Sequence, residues 1–196
     1  MKKSKAETAQ TRKRIVDVAS REFKRTGIQA TRVSDIMAAA GLTHGGFYRH
    51  FDSKEQLLAE ACATAMQRIA EKASAAVGGG ERGLADYFND FLSLTQHDDC
   101  ARSCTFVTMG SELARADEHT RHAISEGFRT WIDILARQAE EQGSTHARAD
   151  AMFRLAAMIG AVTLARMLDD PELANEVLAQ ARQRLAEPAG NRPTAD

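Results

Sequence analysis

The sequence predicts an all-α fold of about nine helices, with a three-helix N-terminal unit ahead of a larger helical body. Three observations carry this. Apolar residues recur at three- and four-residue spacing along most of the chain, the period of a helix with one buried face. No stretch shows the strict alternation of a half-buried strand. Only 3 prolines and 13 glycines interrupt 196 residues, and several fall where helices begin or end. With 43% hydrophobic residues the chain can bury a core, which excludes a disordered polymer.

The elements follow in order. A first helix is predicted over 7–25, where Ile15, Val18, Ala19 and Phe23 form one apolar stripe and Gly27 supplies the stop. Thr31 reads as the N-cap of a second helix that buries Val33, Ile36, Met37 and Ala40. Gly41 gives a tight turn, and Thr43 can cap a short third helix ending at Phe51. Ser53-Lys54-Glu55-Gln56 fits a capping box and opens a fourth helix, expected over about 53–77. Gly78-Gly79-Gly80 is the clearest break in the chain. Five further helices are predicted, over 82–96, 104–115, 118–142, 145–168 and 171–187. Gly143-Ser144 separates two of them, and Pro171 stands at the first position of the last. The expected organisation is a domain over 1–58, linked through helix four to a second over 59–187, with 188–196 as a disordered tail.

Composition narrows the function. The net charge of −1 hides an asymmetry: residues 1–57 hold 12 lysines and arginines against 6 acidic residues, and the remainder 14 against 21. A basic head on an acidic body suits a nucleic-acid partner. No apolar run is long enough to span a bilayer, and no apolar signal core follows the N-terminus, so the expected location is cytoplasmic, without a membrane partner. Three cysteines make no disulfide framework and suit a reducing compartment.

The third helix carries the strongest signal. Within Thr43-His44-Gly45-Gly46-Phe47-Tyr48-Arg49-His50-Phe51, two adjacent glycines each lose roughly 1 kcal/mol against alanine in a helix interior. Either another helix packs closely there, or a bare backbone must approach something outside, for which a DNA groove is the natural candidate. Phe47 and Phe51, four apart, can anchor the segment inward. That leaves His44, Tyr48 and Arg49 for phosphates and base edges.

Taken in order, these residues resemble the DNA-binding domain of TetR-type transcriptional regulators. The likeness runs from Ile15 to Leu58 through Ala19, Phe23, Gly27, Thr31, Val33, Ile36 and Ala40-Gly41. Its most specific part is Gly45-x-Phe47-Tyr48-x-His50-Phe51 followed by Ser53-Lys54-Glu55-x-Leu57. Arg49 stands where many members carry a second aromatic residue. The resemblance implies that Thr31 and Arg32 lie near a backbone phosphate, that Thr43, His44, Gly45 and Tyr48 face the groove, and that His50 and Lys54 touch the sugar-phosphate backbone. It also implies a homodimeric repressor of a palindromic operator, released by a small-molecule or thiol-reactive inducer.

Beyond the head, Leu155, Met158, Ile159 and Val162, with Leu173, Val177, Leu178 and Leu185, make the last two helices the expected dimer interface. Cys104 is expected in the first turn of its helix behind Ser103 as N-cap, where helix amides and Arg102 favour a thiolate. Cys104-x-x-Val107-x-x-Gly110-Ser111-Glu112-Leu113 resembles a cysteine-containing subgroup, some of which respond to electrophiles. Cys104 is thus a candidate sensor, with Cys100 to resolve it. Cys62, among alanines, reads as a packing residue. Phe91, Phe106, Met109, Phe128 and Trp131 can line a ligand pocket or simply fill the core. No nucleophile–base pairing, phosphate loop or metal motif is present, so no enzyme, cofactor or metal is expected. The competing reading is an all-helical carrier or enzyme that lacks DNA binding.

Overall fold

The computed structural model describes residues 4–93 and 104–186. Among these, the regular elements are α1 (Lys5–Thr26), α2 (Val33–Ala39), a 3-10 helix (His44–Arg49), α3 (Lys54–Gly78), α4 (Gly80–Ser93), α5 (Thr105–Leu113), α6 (Glu118–Glu141), α7 (Ala147–Met167) and α8 (Pro171–Ala186). The all-α class and the number of helices are as predicted. The expected tail 188–196 and Cys100 lie outside the described residues.

Two compact units emerge, Met1–Met66 with Asp99–Glu126, and Gln67–Asp98 with Gly127–Asp196. The expected first domain, 1–58, lies wholly within the first unit, which also takes in α5. In that unit Ile15, Ala19 and Phe23 of α1, with Ile36, Met37, Phe47, Phe51 and Leu57, are fully buried, and α1 packs on α2 and α2 on the 3-10 helix. α5 packs on α1 and buries Phe106, Met109 and Leu113. α1 begins in a capping box: Glu7 N–H donates to Ser4 Oγ at 3.1 Å, and Ser4 N–H to Glu7 Oε2 at 2.6 Å.

In the second unit α7 packs on α8, and α4 lies against both. Trp131, Leu92, Met158, Val162 and Leu185 are its largest fully buried side chains. The Gly78–Gly80 break narrows to one residue between α3 and α4. Gly83 explains how tight that corner is, because a Cβ there would stand 2.4 Å from Ala76 O. The apolar residues of α7, those expected at a dimer interface among them, divide into two stripes. Leu155, Met158 and Val162 are buried inside the unit, a correction to the expectation, while Met152, Ala156, Leu164 and Met167 are exposed on the other face. The sequence shows apolar residues on both faces, and only packing decides which face the unit itself consumes.

Candidate nucleic-acid interface

Local geometry starts with the turn after α1. Gly27 has φ 85 and ψ 160, a region open essentially to glycine alone. Thr31 closes the turn. Its hydroxyl donates to Gly27 O at 2.6 Å and lies 2.7 Å from Thr26 Oγ1, and the residue is only 3% exposed. Thr31 is therefore not the N-cap of α2, and its side chain faces inward. The cap falls on Arg32, whose N–H donates to Asp35 Oδ2 at 3.4 Å. The physical reason is that the hydroxyl is turned back onto the Gly27 carbonyl, which also accepts from Thr31 N–H at 3.3 Å, and so it points away from the amides that open α2.

The third element is a six-residue 3-10 helix and not an α-helix. Gly46 N–H donates to Thr43 O at 3.0 Å and His50 N–H to Phe47 O at 2.8 Å. Thr43 is its N-cap through backbone geometry, without a side-chain cap bond. Phe47 and Phe51 stack at 5.5 Å between ring centroids and are buried, which pins the segment to the core. Arg12 of α1 covers the Phe51 ring at 4.1 Å and pairs with Glu60 of α3. Tyr48 is thereby thrust outward at 66% exposure. Its ring lies edge-on to Phe47 at 5.2 Å and to His44 at 6.3 Å.

Of the nine residues expected at the interface, Arg32, Thr43, His44, Gly45, Tyr48 and Arg49 are exposed, on or beside α2 and the 3-10 helix, which pack together. His50 and Lys54 are half-buried and Thr31 is buried. Lys54 is already engaged, with Nζ donating to Ile28 O at 2.6 Å. Ser53 caps α3 as expected, accepting from Gln56 N–H at 3.1 Å, but the Gln56 side chain accepts from Asp52 N–H at 2.6 Å, one residue before the cap. Gly45 has no positive φ, and a Cβ added to it would meet nothing within 4 Å. Gly46 would meet Met37 Cε at 3.6 Å, an ordinary contact. Packing within the chain thus gives no reason for glycine at position 45.

One contact of this region is not legible in the sequence, where Glu112 stands only as part of the stretch after Cys104. Glu112 of α5 accepts N–H groups from Ile28 and Gln29, each at 3.0 Å. Nothing in the local pattern around either partner signals a bond across more than 80 residues.

Residues 15–61 match the pattern described as bacterial regulatory proteins of the tetR family, and residues 81–180 match the C-terminal domain described as transcriptional regulator LmrA/YxaF-like. The chain belongs to the TetR family of transcriptional regulators. Within the family, the regulator AcrR of Shigella flexneri is 42% identical over 59 residues, 30% of this chain and 27% of AcrR. The chain therefore spans about a quarter of that relative's length in the match. LmrA of Bacillus subtilis is 26% identical over 147 residues, 71% of this chain and 76% of LmrA. The reduced form of Escherichia coli NemR shares the fold at TM-score 0.79 with 19% identity, covering 90% of this chain and 95% of that one.

The candidate sensor and pocket of this TetR-family chain are less concentrated. Cys104 is itself the N-cap of α5, with φ −63 and ψ 130, and does not sit in the first turn as expected. Helical geometry begins one residue later because Cys104 O already accepts from Val107 and Thr108 N–H, each at 3.1 Å. Cys62 is buried, and burial first, with the nearby Asp117 carboxylate second, pushes its thiol up to about 12. Phe106 and Met109 belong to α5 in the first unit, and Phe91, Phe128 and Trp131 to the second, where Phe128 stacks on Trp131 at 5.7 Å. Among the described residues no group of three metal-ligating side chains comes together, and no helix is long and apolar enough to cross a membrane.

Proposed function

We propose that this protein is a repressor that binds a palindromic operator as a cytoplasmic homodimer and is released by an inducer. The observation that carries the reading is the exposed face His44-Gly45-Tyr48-Arg49, held by two buried phenylalanines and lacking an internal reason for its glycine. Such a face offers aromatic, imidazole and guanidinium groups on a bare backbone, which suits phosphate and base-edge contacts in a major groove. Arg32 adds a cation at the start of α2.

A dimer supplies two such heads for two half-sites. Met152, Ala156, Gly160, Leu164 and Met167 recur every three or four residues along α7, and Met167 is 76% exposed. A solvent-facing apolar stripe of this length suits a partner helix, with Ala156 and Gly160 small enough for close approach. For the inducer, Cys104 offers a thiol. In the second unit the buried Trp131 Nε1 and Gln138 Oε1 have no hydrogen-bond partner among the described residues. Buried polar atoms of that kind are what a small polar ligand satisfies.

The test is selection of a duplex from a random-sequence pool by the full chain, followed by titration at several salt concentrations. The expected product is an inverted repeat, bound with a steep loss of affinity as salt rises. Failure to enrich any sequence refutes the reading.

A further inference from the structure

The turn between α1 and α2 is held from two sides by residues distant in sequence. Both carboxylate oxygens of Glu112, near the end of α5, are used: Ile28 N–H donates to Oε2 at 3.0 Å and Gln29 N–H to Oε1 at 3.0 Å. From the other side Lys54, in the first turn of α3, donates Nζ to the carbonyl of the same Ile28 at 2.6 Å. Gly27 shapes the turn so that two successive amides converge, and a Cβ on it would stand 3.0 Å from Glu112 Oε2. Converging backbone amides form an anion-binding concavity. Here the anion is the side chain of α5.

We propose that Glu112 is a positioning residue for DNA binding: it locks the α1–α2 turn to α5, so that α5 sets the pose in which the 3-10 helix meets DNA. The inference rests on the DNA-binding reading above. Its mechanics follow from the chain. The turn runs through Thr31 directly into Arg32, the cap of α2, and α2 packs on the 3-10 helix. Moving Ile28 and Gln29 therefore moves the exposed face as a block. A carboxylate suits the task because it accepts at both oxygens. A glutamine there would turn an NH2 group toward one of two N–H donors and lose that bond. Hydrogen bonds to a charged group are each worth roughly one to two powers of ten in an equilibrium constant. Because α5 is a single helix from its Cys104 cap to Glu112, a displacement at the cap reaches the turn over about 12 Å of rigid helix.

The experiment compares full-length wild type, Glu112→Gln and Glu112→Ala on two probes, the duplex selected by wild type and a scrambled duplex of the same composition. The expected result is a loss of about tenfold or more in affinity for the selected duplex, with little change for the scrambled one. The preference ratio is the decisive readout. A merely structural role lowers the folded fraction and weakens both probes together, whereas a lost pose weakens the sequence-reading mode. Hydrogen exchange should quicken at Ile28 and Gln29 in both variants. An unchanged preference ratio in folded variants overturns the proposal while leaving the DNA-binding reading intact. If wild type selects no duplex, that reading and this inference fall together. If both variants unfold, wild type alone decides: exchange at Ile28 and Gln29 must slow when the selected duplex is bound, and no slowing overturns the proposal.

Discussion

Gly45→Ala separates DNA contact from folding more cleanly than any other single change. The new Cβ would meet nothing within 4 Å, and the backbone at Gly45 is not in a positive-φ conformation. Alanine therefore introduces neither clash nor strain in the free protein. It also restricts the unfolded chain, so stability should hold or rise by up to about 1 kcal/mol. For a chain of this size that corresponds to roughly 2–4 °C in melting temperature. DNA binding should move the other way. If the bare backbone lies against the groove, the methyl group overpacks the contact at about 1–3 kcal/mol, or roughly five- to hundredfold in affinity. Gly45→Val enlarges the penalty. The assay pairs thermal denaturation with fluorescence-anisotropy titration of the selected duplex. Wild-type affinity in a stable Gly45→Ala protein would refute the close-approach argument, and a marked fall in stability would mean that the glycine serves the fold.

Other predictions follow from single contacts. Lys54→Met removes the cation that holds Ile28 O, which should lower stability by about 1–2 kcal/mol and weaken operator binding, read by denaturation and titration. An unchanged melting temperature would remove that bond from the account. Gly27→Ala places a Cβ against Glu112 in a conformation few residues adopt, at about 1–3 kcal/mol in stability. Leu164→Glu with Met167→Glu should yield a folded monomer by light scattering and circular dichroism, whereas Val162→Glu, in the core, should unfold the chain. A folded dimer carrying both surface charges would move the interface elsewhere. Cys62, with its thiol pushed up to about 12, stays protonated through neutral and mildly alkaline pH. Iodoacetamide at pH 8 should therefore leave Cys62 unlabelled in the native protein while labelling Cys104, as peptide mass spectrometry would report. A Cys104→Ser protein should then resist operator release by a mild thiol reagent, and equal release in wild type and variant would exclude Cys104 as the sensor.

Much of this protein was legible in its sequence because it is local. The stripe Ile15-Val18-Ala19-Phe23, the stop at Gly27, the cap at Ser53 and the inward pair Phe47 and Phe51 all act within a few residues, so spacing alone exposes them. The class of fold and the exposed face at His44 and Tyr48 follow from that. What spacing cannot reveal is which of several possible partners a group takes. Thr31 has the residue type of a helix cap but spends its hydroxyl on the turn behind it. Lys54 has the type of a phosphate contact but binds a carbonyl 26 residues away, and Glu112 clamps amides more than 80 residues away. α7 is apolar on two faces, and only the packing of α8 and α4 decides which remains exposed. The division is physical: capping and periodicity are set by neighbours along the chain, whereas long-range hydrogen bonds and the choice of buried face depend on elements that meet only after the chain has folded.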